Sequence, residues 1–183
     1  MENYFELKLK SISENEKFAR NTVAGFLVPL DPTLSEIDDI KTAVSEAVTN
    51  CIVHGYEDVE NGEIIIKVGI DGKRATITII DNGVGIKDIE KALVPFYTTK
   101  PDSDRSGMGF TLMQSFMDEF EVYSEENKGT TIVMTKIIGN EGVHDWCWKD
   151  KRTYTAVAKR RYRSKRNFAK GKYPVDKKHC KAV

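Results

Sequence analysis

The sequence is short of the features that mark several common protein classes. Its three cysteines, Cys51, Cys147 and Cys180, are scattered, with no CxxC pair, so neither a thiolate zinc site nor a disulfide framework is indicated. No stretch approaches the roughly 18–20 consecutive apolar residues of a membrane-spanning helix. The opening MENYFELKLK alternates like a strand and lacks the apolar core of a signal peptide, which points to a cytoplasmic protein with no membrane contact. There is no GxxxxGK(S/T) phosphate loop and no GxGxxG following a strand. Net charge is also missing, but only on average. Residues 141–183 carry 14 Lys+Arg against 4 Asp+Glu, a net +10, which leaves −10 over residues 1–140. Two unlike segments are joined.

What is present suits a globular domain: 183 residues, 40% hydrophobic and 31% charged. YFELKLKSI reads as a strand. SENEKFARNTVAGFLVPL reads as a helix with Ser13 as N-cap and Glu16 as its capping-box partner. In TLSEIDDIKTAVSEAVTNCIVHG, Ile37, Ile40, Ala43, Val44, Ala47, Val48 and Cys51 recur at helical steps. Gly55 stands as its C′ residue and His54 in its last turn. GEIIIKVGIDGKRATITIIDNG reads as a hairpin about Asp71-Gly72, and FEVYSEENKGTTIVMTKII as another about Lys128-Gly129, with a helix, GFTLMQSFMDEF, before it. Strand, two helices, hairpin, glycine-rich loop, helix and hairpin make an α+β two-layer sandwich, and a doubly wound nucleotide fold is disfavoured.

Three glycine-rich or polar segments share one region. Asp81-Asn82-Gly83-Val84-Gly85 follows a buried-looking strand; glycines there permit close backbone approach, and an acid at a strand end can accept a hydrogen bond from a flat ligand. Gly107-Met108-Gly109-Phe110 opens a helix, whose first N–H groups favour anions. Tyr97-Thr98-Thr99-Lys100 and Arg105 lie between them, with hydroxyls and cations suited to phosphate. Each segment alone also fits a plain turn or helix start. Glu46 and Asn50, four residues apart, share a helix face. By spacing alone they fit a solvated outer face as well as a base and a ligand for a hard cation.

The ordered set is similar to the GHKL ATPases, the group of gyrase, Hsp90, histidine kinases and MutL. EAVTN resembles the N box, DNGVGI the first glycine box, GMGF the second, the loop between them the ATP lid, and GTT at 129–131 the late glycine-threonine element. Within that group, NEKFARNTVAGFL, EAVTNCIVHGYE and VPFYTTKPDSDRSGMGFTLMQSFMD resemble the anti-sigma serine kinases of sporulation, over about residues 1–138.

The resemblance implies a Bergerat-type domain over residues 1–139, with a mixed, mostly antiparallel sheet and helices on one face. It implies ATP and Mg²⁺, with Glu46 as general base, Asn50 as magnesium ligand and Asp81 on the adenine amino group. Gly83 and Gly85 would shape the pocket. Thr98, Thr99, Lys100, Arg105, Ser106, Gly107, Met108, Gly109 and Phe110 would surround the phosphates, with Arg105 on the γ-phosphate and Thr130 near the adenine end. Glu16, Arg20 and Asn21 would meet a partner, while His54 is expected to be a structural helix-end residue. The implied activity is that of a homodimeric serine kinase which inhibits sporulation sigma factor F and phosphorylates its anti-anti-sigma factor. The alternative is a nucleotide-gated sigma-binding module without significant kinase activity.

The basic segment 140–183 matches nothing in that group. Its composition fits a nucleic-acid arm, a disordered tail, or a neighbouring gene read out of frame. Permitted codons for KYPVDKKHCKAV, read from the second base, spell NIRLIRSIVKR, which is similar to the start of a sporulation sigma factor. On that reading no direct nucleic-acid partner is expected.

Overall fold

In the computed structural model, residues 2–57, 61–96 and 107–139 are described; the basic segment from residue 140 onward lies outside them. The chain forms β1 (Glu2–Lys10), α1 (Glu14–Leu27), α2 (Leu34–Asn50), β2 (Glu63–Asp71), β3 (Arg74–Asp81), α3 (Ile89–Ala92), α4 (Gly109–Phe116), β4 (Glu119–Ser124) and β5 (Thr130–Ile137). The strands make one sheet in the order β1-β2-β3-β5-β4.

Every pairing in that sheet is antiparallel, which corrects the expectation of a mixed sheet. The reason lies in the connections. The α1–α2 pair returns the chain to the end of the sheet that β1 left, so β2 must run against β1. The crossover through α4 does set β4 parallel to β3, but β5 lies between them and pairs antiparallel with both.

Alternation puts Ile64, Ile66, Val68 and Ile70 of β2 in the core, with Ala75, Ile77 and Ile79 of β3 and Ile132 and Met134 of β5. Against them pack Ala19, Val23 and Leu27 of α1, Ile40, Ala43, Val44, Ala47 and Val48 of α2, and Met113 of α4, all in one apolar cluster. Each fully buried aliphatic side chain stabilises the fold by about 1.5–3 kcal/mol. Lys136 of β5 fastens the layers at a polar point. Its buried ammonium lies 3.1 Å from Asp39 of α2 and donates to the Phe116 carbonyl at the end of α4 at 2.7 Å.

Several helix boundaries differ from expectation: α1 ends at Leu27, with Val28–Leu30 in a 3-10 turn, and α4 ends at Phe116, with Glu119 and Phe120 already in β4. Ser13 is itself helical and makes no side-chain cap. The acid expected to complete its capping box, Glu16, instead accepts from Ser45 on α2 and pairs with Arg20 at 3.2 Å. The capping box belongs to α2: Glu36 N–H donates to Thr33 Oγ1 at 3.2 Å and Thr33 N–H to Glu36 Oε2 at 2.8 Å. Nor does α2 end in an α-helical turn with Gly55 as C′. After Asn50 the chain widens into a π-helical turn, Cys51–Gly55, closed by Tyr56 N–H on the Cys51 carbonyl at 2.8 Å. The β2–β3 loop is Gly72-Lys73, with Gly72 at φ +59° and Asp71 pairing with Arg74. Among the described residues, no helix is long and apolar enough to cross a membrane.

Candidate active site

Asp81 ends β3 on the core side of the strand, where alternation after Ala75, Ile77 and Ile79 makes it 3% exposed. Its Oδ1 accepts from Gly83 N–H at 3.0 Å and from Thr130 N–H at 3.2 Å, and the buried Cys51 lies near the same carboxyl. Burial holds Asp81 above the ordinary aspartate range against the pull of those donors. Burial, then the neighbouring Asp81 charge, pushes the Cys51 thiol well up, so it stays protonated.

The two glycines of the first box make room for the chain's own backbone. A Cβ on Gly83 would lie 1.9 Å from the Gly55 carbonyl oxygen, which accepts from Val84 N–H at 2.9 Å. A Cβ on Gly85, at φ +70°, would lie 2.1 Å from the Glu125 carbonyl oxygen. Further bonds tie this loop down: Ile86 N–H to Ser124 Oγ at 2.7 Å, Asn127 N–H to the Val84 carbonyl at 2.6 Å, and Asn82 N–H to the Tyr56 hydroxyl at 2.9 Å. Tyr56 in turn donates to the Glu63 carbonyl at 2.5 Å. Thr130, expected near the same end, presents its N–H to Asp81 and its hydroxyl to Ser124 at 3.0 Å.

The other end of the site is made of side chains. Glu46 and Asn50 are half-buried and meet the start of α4: a Cβ on Gly109 would lie 2.8 Å from Glu46 Oε2 and 3.4 Å from the Asn50 amide nitrogen. The outer-face reading of the pair therefore fails, and the first-box aspartate and the second glycine box flank the same helix. Met108 caps α4 without a side-chain hydrogen bond, and Gly107, at φ +65°, accepts Phe96 N–H at 3.1 Å across the base of the intervening loop. Phe110 turns its ring edge-on to Phe120, with centroids 6.0 Å apart, and so serves the α4–β4 packing. Thr98, Thr99, Lys100, Arg105 and Ser106 lie outside the described residues. His54 is half-buried within the π turn. On α1, Glu16 and Arg20 both bond Ser45, the residue before Glu46, while Asn21 is exposed.

Sequence reasoning passed over Cys51, Tyr56 and Ser124 as parts of this site. Cys51 was legible only as a periodic core position, and the hydrogen-bonding roles of Tyr56 and Ser124 come from partners far away in the chain.

The model of the histidine kinase-like ATPase domain family matches residues 14–136. Anti-sigma F factor of Thermoanaerobacter sp. (strain X514) is 58% identical over 139 residues, covering 76% of this chain and 96% of that protein. This chain belongs to the anti-sigma F factor family. Anti-sigma F factor of Clostridium acetobutylicum is 57% identical over 136 residues, 74% of this chain and 94% of that protein. The crystal structure of the RsbU and RsbW domains of a Mycobacterium tuberculosis protein superposes with a TM-score of 0.52 at 21% identity, over 74% of this chain and 32% of that one, and shows the shared fold. The family membership and the GHKL-type α+β fold implied by the boxes are thereby established, and the domain is one of an ATPase family.

Proposed function

We propose that this protein is an ATP- and Mg²⁺-dependent serine protein kinase and anti-sigma factor, which binds sporulation sigma factor F and phosphorylates its anti-anti-sigma factor. The observation that carries the kinase part is that Glu46 and Asn50, at the end of a helix whose following π turn packs on the buried acceptor Asp81, meet Gly109 at the start of α4. A carboxylate beside a phosphate-facing helix start can take the proton of an attacking serine hydroxyl. Asp81 would accept from the adenine amino group, and the α4 N–H groups would face the phosphates. Gly109 leaves Glu46 and Asn50 the space that a Cβ would take.

Asn50 fits Mg²⁺, because this ion binds few protein oxygens and completes its shell with water and phosphate. When bound, Mg²⁺ would neutralise phosphate charge; Asn50 would hold it. Thr98, Thr99, Lys100, Arg105 and Ser106 would complete the phosphate side, with Arg105 on the γ-phosphate as a planar, bidentate cation. Glu16, Arg20 and Asn21 would contact a protein partner, in a homodimeric assembly. The basic segment 140–183 is read as an out-of-frame extension, and the nucleotide sequence of the gene checks it: a sigma-like open reading frame is expected beneath residues 146–183.

The deciding experiment incubates the protein with labelled ATP and purified anti-anti-sigma protein, followed by mass spectrometry. Stoichiometric phosphoserine is expected. Sigma binding without any phosphoryl transfer would leave only the nucleotide-gated binding module.

A further inference from the structure

We propose that Lys136 is a positioning residue: its buried ammonium sets where α4 stands along α2, and so holds the second glycine box against Glu46 and Asn50. The inference rests on the reading of the α4 start as the phosphate side of a nucleotide site. Lys136 lies on the core face of β5, between Met134 and Ile138, and is 3% exposed. A lysine there is costly unless its charge and its donors are met. Asp39 of α2 lies 3.1 Å from Nζ, and the carbonyl of Phe116, the last residue of α4, accepts from Nζ at 2.7 Å. The last carbonyls of a helix have no partner within it, and a cation suits that end of the helix dipole. The neighbouring backbone joins the same anchor: Asp118 N–H donates to the Thr135 carbonyl at 2.9 Å, and Ile137 N–H to Asp118 Oδ2 at 2.6 Å.

Both ends of α4 meet one stripe of α2. Asp39, Glu46 and Asn50 stand at i, i+7 and i+11, which the helical period brings to one face. The end of α4 meets the first of these through Lys136, and Gly109, at its start, meets the other two. The short helix therefore runs antiparallel along α2, anchored at its Lys136 end. Between those points the hold is slight. α4 has 8 residues and a single fully buried side chain, Met113. Apolar packing is non-directional, whereas a hydrogen bond picks out one carbonyl. A slip by one residue is about 1.5 Å, and an error of about 1 Å in aligned groups costs about 10²-fold in rate. Stability alone gives no reason for a lysine here, because apolar side chains of like volume often replace a buried ion pair without loss.

The test measures ADP and adenosine affinity of the full chain with Mg²⁺, single-turnover phosphoryl transfer from labelled ATP to purified anti-anti-sigma protein, and thermal melting. The proteins compared are the parent, Lys136→Met/Asp39→Leu and Lys136→Arg. The double variant removes both charges and should melt within about 5 °C of the parent. Its ADP affinity should fall about three- to tenfold and transfer about tenfold or more, while adenosine, held at the Asp81 end, should bind as it does to the parent. A merely structural role would not produce that split. ADP binding and transfer at parent levels overturn the proposal, and so does equal weakening of ADP and adenosine. Lys136→Arg keeps a cation for Asp39 but carries its donors further out, so ADP should weaken and adenosine should not. That comparison decides the matter alone if the double variant fails to fold, with parent-like ADP binding overturning the proposal. A parent that binds ADP yet transfers no phosphate ends the kinase reading, and the ADP–adenosine comparison still decides the role of Lys136. A parent that binds no ADP ends the nucleotide reading, and the Lys136 role falls with it.

Discussion

The two ends of the site are built on different principles. Around Asp81 the backbone is locked to itself: Gly83 presses on Gly55, Gly85 on Glu125, and Gly129 on the Asp81 carbonyl, where a Cβ would lie 2.0 Å from the oxygen. Around Glu46 and Asn50 the contacts are side chain to helix start, and the loop that completes this end on the sequence pattern lies outside the described residues. One end is preformed by covalent geometry and tight turns. The other places two polar side chains, Glu46 and Asn50, on one helix against the start of α4.

The largest effect should come from breaking the side-chain end. Glu46→Gln should lower phosphoryl transfer by about 10²–10⁴-fold, the usual contribution of a general base, while ADP binding stays near the parent level. Single-turnover transfer from labelled ATP reads this directly, and equal rates would remove Glu46 from the chemistry. Next, Gly83→Ala attacks the backbone-locked end. Its Cβ meets a carbonyl that cannot rotate away, so unfolding in urea should show a loss of about 3 kcal/mol, with nucleotide binding falling in parallel. Gly109→Ala sharpens the contrast. Its new Cβ meets the end of the flexible Glu46 side chain at 2.8 Å, so stability should fall by about 1 kcal/mol or less while transfer drops. Equal destabilisation by the two alanines would erase the distinction between the ends.

A pH experiment follows from Asp81. Burial raises its folded-state affinity for a proton above the unfolded value, so the ionised group costs stability at neutral pH, and that cost is relieved as pH falls through the folded-state value. Asp81→Asn, which does not titrate, should bind ADP about 10–100-fold more weakly yet melt close to the parent at pH 7. As pH is lowered from 7 toward 4, the melting temperature of the parent should improve relative to the variant; a difference that moves the other way refutes the assignment. The smallest effect belongs to a site far from both ends. Thr33→Ala removes the α2 cap and should cost about 1 kcal/mol in urea unfolding without changing ADP affinity.

How much of this was legible beforehand depends on the range of the interactions. Element types and order were readable, because the two-residue period of β2 and β3 and the three- and four-residue steps of α2 are local consequences of which face is buried. The helix ends were less so. Ser13 and Thr33 carry the same kind of cap signature, three residues before a glutamate, and only Thr33 uses it. The difference is Ser45, 29 residues away, which takes Glu16 for itself. The site followed the same rule: the boxes could be found in order, but Cys51 looked like one more core position until the π turn set it on Asp81.

By itself, then, the sequence determined which segments are strands and helices, which faces are buried, and which segments carry the glycines, acids and amides of the site, since these depend on neighbours within a turn or two of chain. Only the tertiary structure decided that the sheet is wholly antiparallel, that the N-box helix ends in a π turn, and that Gly83, Gly85 and Gly129 are needed by carbonyls of the chain itself. The reason is that steric exclusion and hydrogen bonding between distant backbone segments have no period and no local composition, and come into being only when the layers close on one another.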